Sequence, residues 1–339
     1  MNILSIDGGG IRGIIPGQVL IALENKMQQI NPNKRIADVF DLIAGTSTGG
    51  ILACLYLCPG AGGQPKFSAA DAVSLYLQHG AEIFDVSVFR SVASIDGLRG
   101  PKYSAAPLEK ALEFYFGDLR LSQLLKPCLI TSYDITRRQA KFFNKQDVGQ
   151  SGAGGADFAV RDIARGTSAA PTFFPPANIV GSDGSVYPLI DGGVFANNPA
   201  MCALVEAFGW NPALNVKDLN ILSLGTGASD ESLNYSDAKG WGDIAWLHPL
   251  LGILFGGVSE TVDYQLQTLF TSAGSASQYL RLQVDLRNSD VDSAMDNASK
   301  ENLQALVNVG TKLAADNDAK LTALAKLLVP TAAAGLPKT

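Results

Sequence analysis

A glycine-rich turn between an apolar strand and a helix occurs twice within the first fifty residues, and it constrains the fold of this chain more than any other feature. The run Asn2 to Ile6 breaks into Asp7-Gly8-Gly9-Gly10-Ile11-Arg12-Gly13 and opens a helix predicted over Pro16 to Ile30, with Pro16 suited to a first turn. The run Val39 to Ala44 breaks into Gly45-Thr46-Ser47-Thr48-Gly49-Gly50 ahead of a helix predicted over Ile51 to Leu57. Strand, turn and helix in alternation specify an α/β domain with a mostly parallel sheet. In such sheets ligands gather at the carboxyl ends of the strands, which is where both turns lie.

The second turn matches G-x-S-x-G, in which a serine sits on a strained strand-to-helix elbow. Gly45 and Gly49 let strand and helix approach, Gly50 adds clearance, and Ser47 falls at a helix N-terminus that favours developing negative charge. The string also arises by chance in chains rich in glycine and serine, but the flanking strand and helix are the context the motif requires. In the first turn Gly8, Gly10 and Gly13 fit G-x-G-x-x-G, the dinucleotide fingerprint, which also needs an acidic residue closing the second strand. Asp38 and Asp41 stand at the start of that strand instead, and its end carries Ser47. The glycines therefore read as an oxyanion hole in which amides near Gly9 and Gly10, with that of Thr48, hold a tetrahedral intermediate's oxygen. A non-enzymatic nucleotide-binding module using Gly8 to Gly13, or a turn that merely lets helix and sheet pack, are the competing readings. Arg12 either adds positive charge to the loop or is simply solvated.

A nucleophilic serine needs a base, and the chain holds two histidines, His79 and His248. His79 reads as a residue of a C-terminal helical turn. His248 follows both Ser47 and Asp191, so a Ser47/Asp191/His248 triad is formally possible. The stronger candidate is Asp191, a strand-end carboxylate after the apolar run Val186 to Ile190, entering Gly192-Gly193. An ordinary Asp-Gly-Gly turn is the plainer alternative.

Taken in order, DGGGIRG, GTSTGG and DGG resemble the motifs of the patatin-like phospholipases, a family of lipid acyl hydrolases. The segment Ala164-Arg165-Gly166-Thr167-Ser168-Ala169-Ala170-Pro171-Thr172-Phe173-Phe174-Pro175-Pro176 resembles the family's alanine-proline-aromatic stretch between serine and aspartate. The resemblance spans about residues 1 to 210. It implies Ser47 as nucleophile, Asp191 as its dyad partner, the Gly8 to Arg12 turn as oxyanion hole, and no catalytic histidine. The implied reaction is acyl transfer to Ser47 from a carboxylic ester of a membrane lipid, with Asp191 as general base. A carboxylate can serve a serine in this way only if it is desolvated and its pKa raised. Neither metal nor cofactor is expected: no EF-hand loop, HExxH or CxxC spacing occurs.

With 339 residues, 47% of them hydrophobic, the chain suits one large α/β domain, or one domain with an appended helical subdomain; the expected fold is a three-layer α/β/α sandwich with a central, mostly parallel sheet. Residues 1–210 are expected to form the core that carries the motifs. Residues 211–328 continue the same domain, and 329–339 form a frayed tail. The start of the chain offers no basic segment followed by an apolar one, which suggests a cytoplasmic protein. A net charge of −6 argues against nucleic acid and offers no general attraction to anionic lipid. Oligomeric state is not legible.

Further helices are expected over Ser68 to His79, Ser104 to Phe116 and Lys300 to Leu328. Strands are expected over Pro127 to Thr136 and Gln139 to Asn144 as a hairpin, over Leu219 to Leu224, and over Gln278 to Leu286. Gly225-Thr226-Gly227 reads as a turn, and Val86 to Tyr103 as a flap. The uncharged segment Ile244 to Ser259 is too short to span a bilayer, and Pro249 with its glycines should interrupt a smooth helix. It reads as core, or as an apolar wall of the acyl site or patch touching a membrane peripherally, where the lipid substrate would be met.

Overall fold

The computed structural model of the chain describes residues 1–85, 100–150, 155–228, 233–287 and 289–330. Among these, eight strands form one sheet: β1 (Asn2–Ile6), β2 (Leu42–Thr46), β3 (Cys128–Asp134), β4 (Gln139–Asn144), β5 (Ala177–Val180), β6 (Val186–Asp191), β7 (Asn220–Leu224) and β8 (Tyr279–Leu282). The pairs β1–β2, β2–β3, β1–β7 and β7–β8 are parallel, whereas β4 and β6 both run antiparallel to β3, and β5 antiparallel to β6. The principal helices are α1 (Ile14–Ile30), α2 (Thr48–Tyr56), α3 (Ala69–Ile83), α4 (Ala106–Phe116), α5 (Val160–Thr167), α6 (Ala200–Trp210), α7 (Asp243–Ser272), α8 (Lys300–Asp316) and α9 (Asp318–Leu328).

Strand periodicity builds the layers. Leu4, Ile6, Ile43, Ile130 and Leu222 face one side, into a core completed by α1 to α5 and by α8 and α9. Their neighbours Ile3, Leu42, Ala44, Leu129 and Ile221 face the other side, against Ala200, Ala203 and Leu204 of α6 and Leu266 and Phe270 of α7. A sheet covered on both faces needs strands that are apolar throughout, which is why β1 and β2 read as continuous hydrophobic runs.

The register of β3 positions the site. Strand β4 lies along β3 from Leu129 to Asp134 without interruption. The other edge of β3 is therefore shared, β2 pairing up to Thr46↔Thr131 and β6 beginning at Asp191↔Ser132. Strands β2 and β6 thus approach from opposite directions and meet end to end over two consecutive β3 residues. The nucleophile elbow lies just past the tip of one and Asp191 at the tip of the other.

Several boundaries differ from expectation. Residues Ile36–Val39 form a helical turn, with Asp38 accepting the Arg35 amide at 2.8 Å, so β2 starts at Leu42 rather than Val39. Helix α2 begins directly after Ser47, three residues early, and α3 continues to Ile83. Strand β8 stops at Leu282 because the Gln283 side chain turns to accept the Gly227 amide. Asn317, at φ −112°, divides residues 300–328 into two helices.

The interruption expected at Pro249 is absent: α7 passes through it as one 30-residue helix. A proline removes a single rung, and the roughly six turns beyond it, anchored through Leu266 and Phe270, sustain the helix. Residues 86–99 of the expected flap lie outside the described residues, as do 331–339 of the tail. At the end of the flap segment, the Lys102 and Tyr103 amides donate to the Thr172 and Phe173 carbonyls, and Tyr103 is buried.

Candidate active site

Ser47 holds φ 54°, ψ −122°, a backbone conformation uncommon for a side-chain-bearing residue and one that stores about 1–3 kcal/mol. Its surroundings enforce it. The Ser47 amide donates to Thr167 Oγ1 at 2.9 Å, and Thr167 Oγ1 donates onward to the Thr131 carbonyl at 2.6 Å. Strand β2 and helix α2 cross so closely that a β-carbon on Gly45 would collide with the Gly49 carbonyl. One on Gly49 would collide with that of Ile6.

Asp191 is 1% exposed. Its Oδ1 accepts the Gly193 amide at 2.7 Å, while Oδ2 makes no hydrogen bond of normal geometry. Burial pushes its pKa up to about 7, opposed in part by the Ser47 hydroxyl and the Gly193 amide, both of which favour the carboxylate. Ser47 and Asp191 border one cleft. Gly192 presses on β3 so tightly that a β-carbon there would strike Thr131 Oγ1.

Of the residues expected to make the oxyanion hole, Gly9, Gly10 and Thr48 border the same cleft. Among the described residues their amides have no protein acceptor. Gly8 and Arg12 are placed otherwise. The Gly8 amide donates to the Asn197 carbonyl at 3.0 Å, so it holds the loop rather than facing the cleft. Arg12 is buried, not solvated, and its Nη1 donates to the Ser293 carbonyl at 3.2 Å; burial lowers its pKa to about 10. Gly13 leaves room for Thr48, whose hydroxyl donates to Tyr76 at 2.6 Å.

The loop is braced by residues that sequence reasoning missed. Thr226 Oγ1 donates to the Gly8 carbonyl at 2.7 Å and packs so closely on Gly9 that no β-carbon fits there. Thus Gly225-Thr226-Gly227, read as a plain turn, is a strut. Asn197 Nδ2 donates to Ser259 of α7 at 3.1 Å. Asp7, the residue before the glycines, is gripped by Arg281 of β8 through two bonds of 2.9 and 2.6 Å. Nothing in the sequence linked position 7 to position 281; the buried pair Asn197-Asn198, six residues after Asp191, was the one local signal available.

Apart from Tyr76 and Ser168 the rest of the cleft is apolar, with Ile51, Leu75, Ile83, Leu108, Phe173, Phe174 and Phe255 among its lining. Phe173 and Phe174 belong to the alanine-proline-aromatic stretch, and Phe255 to the uncharged segment of α7. His79 is elsewhere, packed edge-on against Tyr115 and beside Phe114. The backbone of His248 lies in α7 and its side chain is outside the described residues, so the described partners of Asp191 are Ser47 and Gly193. Among the described residues no three His, Cys, Asp or Glu side chains converge to hold a metal ion.

A sequence model of the family described as patatin-like phospholipase matches residues 4–204. The chain is 36% identical to patatin-like protein 1 of Arabidopsis thaliana over 338 residues, covering 92% of this chain and 81% of that one. It is 35% identical to patatin-04/09 of Solanum tuberosum over 332 residues, covering 92% and 83%. A similar match, 35% over 331 residues covering 92% and 86%, is to probable inactive patatin-3-Kuras 1 of Solanum tuberosum. Likeness across the chain therefore extends to a protein named as probably inactive, and any claim of catalysis has to rest on the site.

Proposed function

Given that the chain belongs to the patatin-like phospholipase family, we propose that it is a phospholipase A-type lipid acyl hydrolase acting through Ser47 and Asp191. The observation that carries this reading is a buried carboxylate with its pKa raised to about 7, partnered by the Ser47 hydroxyl and the Gly193 amide and bordering the same apolar cleft as a serine on a strained elbow.

In this mechanism Asp191 Oδ2 takes the Ser47 proton as Oγ attacks the ester carbonyl. The carbonyl oxygen gains negative charge and is held by the amides of Gly9, Gly10 and Thr48, at the N-terminus of α2. Fixed donors of this kind are worth about 100- to 1000-fold each in rate. Collapse of the intermediate breaks the ester bond. The proton on Asp191 passes to the leaving alkoxide, and the fatty acyl group stays on Ser47. Water entering the cleft then gives its proton to Asp191 and attacks the acyl carbonyl, releasing fatty acid and restoring the Ser47 hydroxyl. The phenylalanines and aliphatic side chains of the cleft suit an acyl chain and exclude competing water.

The test is covalent labelling of Ser47 with a fluorophosphonate, alongside hydrolysis of phosphatidylcholine. Wild-type protein should label and release fatty acid; Ser47→Ala should do neither, and Asp191→Asn should lose at least about 100-fold in kcat. A His248→Ala variant that keeps its rate supports the dyad, whereas one that loses it supports the triad. Bound nucleotide with no serine labelling would favour the binding-module reading instead.

A further inference from the structure

Helix α7 has two different outward faces. Along its core side, Phe255, Ser259, Leu266 and Phe270 recur at helical spacing and are buried. On the opposite side its second half carries Glu260, Tyr264 and Thr268, an ordinary solvated face. The first half carries Trp246, Leu250, Ile253 and Leu254 at i, i+4, i+7 and i+8, which is one stripe. Leu250, Ile253 and Leu254 are 44%, 48% and 38% exposed, and Trp246 is half-buried against Trp241 with ring centres 5.1 Å apart. A helix that is polar outward in one half and aliphatic outward in the other has a use for the second kind of surface.

We infer that this half of α7 is the docking face, and that its occupant is the surface of an electrically neutral lipid bilayer. The inference rests on the lipid-hydrolase reading above for the substrate, and on two observations of its own. First, the same half of α7 reaches the catalytic cleft: Phe255, on the inner side of the helix from Leu254, lines the cleft and abuts Gly193 beside Asp191. A lipid held against Leu250 and Leu254 therefore lies across one helix, about 10 Å, from the cleft wall. Second, the charge pattern selects the kind of surface. From residue 240 to 280 there is no Lys or Arg, while Asp243, Glu260 and Asp263 all lie on α7, and the whole chain carries −6. Basic residues are what draw proteins to anionic membranes; their absence from the helix that carries the aliphatic stripe leaves insertion of apolar side chains as the driving force, as in interfacial helices with Trp and Leu on the buried face. A second copy of the chain is a poorer occupant, because three half-exposed aliphatic side chains fall well short of the roughly 800 Å² per partner that a stable dimer buries.

The experiment sediments the full chain carrying Ser47→Ala, which leaves the vesicle lipid intact, with vesicles of phosphatidylcholine alone or with about one-third phosphatidylserine, at about 0.05 and 0.5 M salt. Binding to neutral vesicles should change less than about twofold with salt, weaken on the anionic ones, and fall at least about tenfold in Leu250→Asp/Leu254→Asp. With Ser47 intact, the same pair should lose phosphatidylcholine hydrolysis at least tenfold while turning over p-nitrophenyl butyrate within about twofold of the parent. If that pair impairs ester turnover, Leu250→Ser/Leu254→Ser serves with the same criterion. Undiminished vesicle binding by the variants, stronger binding to anionic vesicles, or a dimer that the substitutions dissolve would each overturn the inference. Because binding is read on Ser47→Ala protein, its failure is distinct from failure of the Ser47 mechanism, which labelling reports.

Discussion

Both carboxylate oxygens of Asp7 are held by the guanidinium of Arg281, a bidentate pair that ties the first glycine turn to the far strand β8. Both residues are buried, and Arg281 also donates to Ser223 at 2.9 Å. Removing one partner leaves a buried charge uncompensated, at a cost of about 3–5 kcal/mol. Arg281→Met is expected to lower stability by that amount in urea unfolding. It should also reduce kcat at least tenfold, since the amides of Gly9 and Gly10 lose the anchor of their loop. The double variant Asp7→Leu/Arg281→Met should recover much of the stability, because no buried charge remains.

Activity should follow ionisation of Asp191. The base is the carboxylate, so kcat/KM for a short ester is expected to rise through a pH of about 7 and level off above it. A flat profile between pH 5 and 8, taken as a range around that value, would remove Asp191 from the role.

The same group sets a stability trend of opposite sense. Its folded pKa, about 7, exceeds the ordinary 3.8, so the fold binds the protonated form more tightly. That stabilisation is complete below about pH 4, is lost as pH rises toward 7, and stays lost above. Asp191→Asn, permanently neutral, is expected to be more stable than wild type at pH 8 by a few kcal/mol, with the gap closing by pH 4. Thermal melts of both proteins across that range provide the check.

Ser47 occupies a conformation that glycine adopts freely. Ser47→Gly should therefore melt above wild type, by roughly 1 kcal/mol after the entropic cost of glycine, while abolishing fluorophosphonate labelling. A variant less stable than wild type would mean that the elbow is not strained.

Gly49 marks where β1 and α2 leave no room. An added methyl meets the Ile6 carbonyl, which is backbone and cannot swing aside. Gly49→Ala is expected to cost about 1–3 kcal/mol or more, seen as a lower urea midpoint. Gly252→Ala, on the open side of α7 where a β-carbon meets nothing within 4 Å, should be tolerated.

The sequence revealed what is local. Apolar runs ending in glycine turns gave β1 and β2, and Ser47, Asp191, Gly9, Gly10 and Thr48 were all picked out as site candidates because each sits in a short string with its own chemistry. What it could not display were partnerships across the fold. Arg281 grips Asp7 from 274 positions away, and no spacing rule joins them. Gly8 looked equivalent to Gly9 until its amide was seen engaged by Asn197. Whether Arg12 charged the loop or was solvated stayed open because its Ser293 partner is equally remote. Pro249 misled for the opposite reason: a local breaker was outweighed by packing further along the same helix.

The end-to-end meeting of β2 and β6 on one edge of β3 also bears on how the protein is made. As the chain leaves the ribosome, residues 42–46 and 128–134 can pair long before residue 191 exists. Until then the vacant length of the β3 edge is open and Ser47 has no base. In the proposed mechanism, competence for chemistry therefore waits at least for the segment that fills the remaining edge of β3. A nascent or prematurely terminated chain ending before Asp191 would carry its nucleophile in a harmless form.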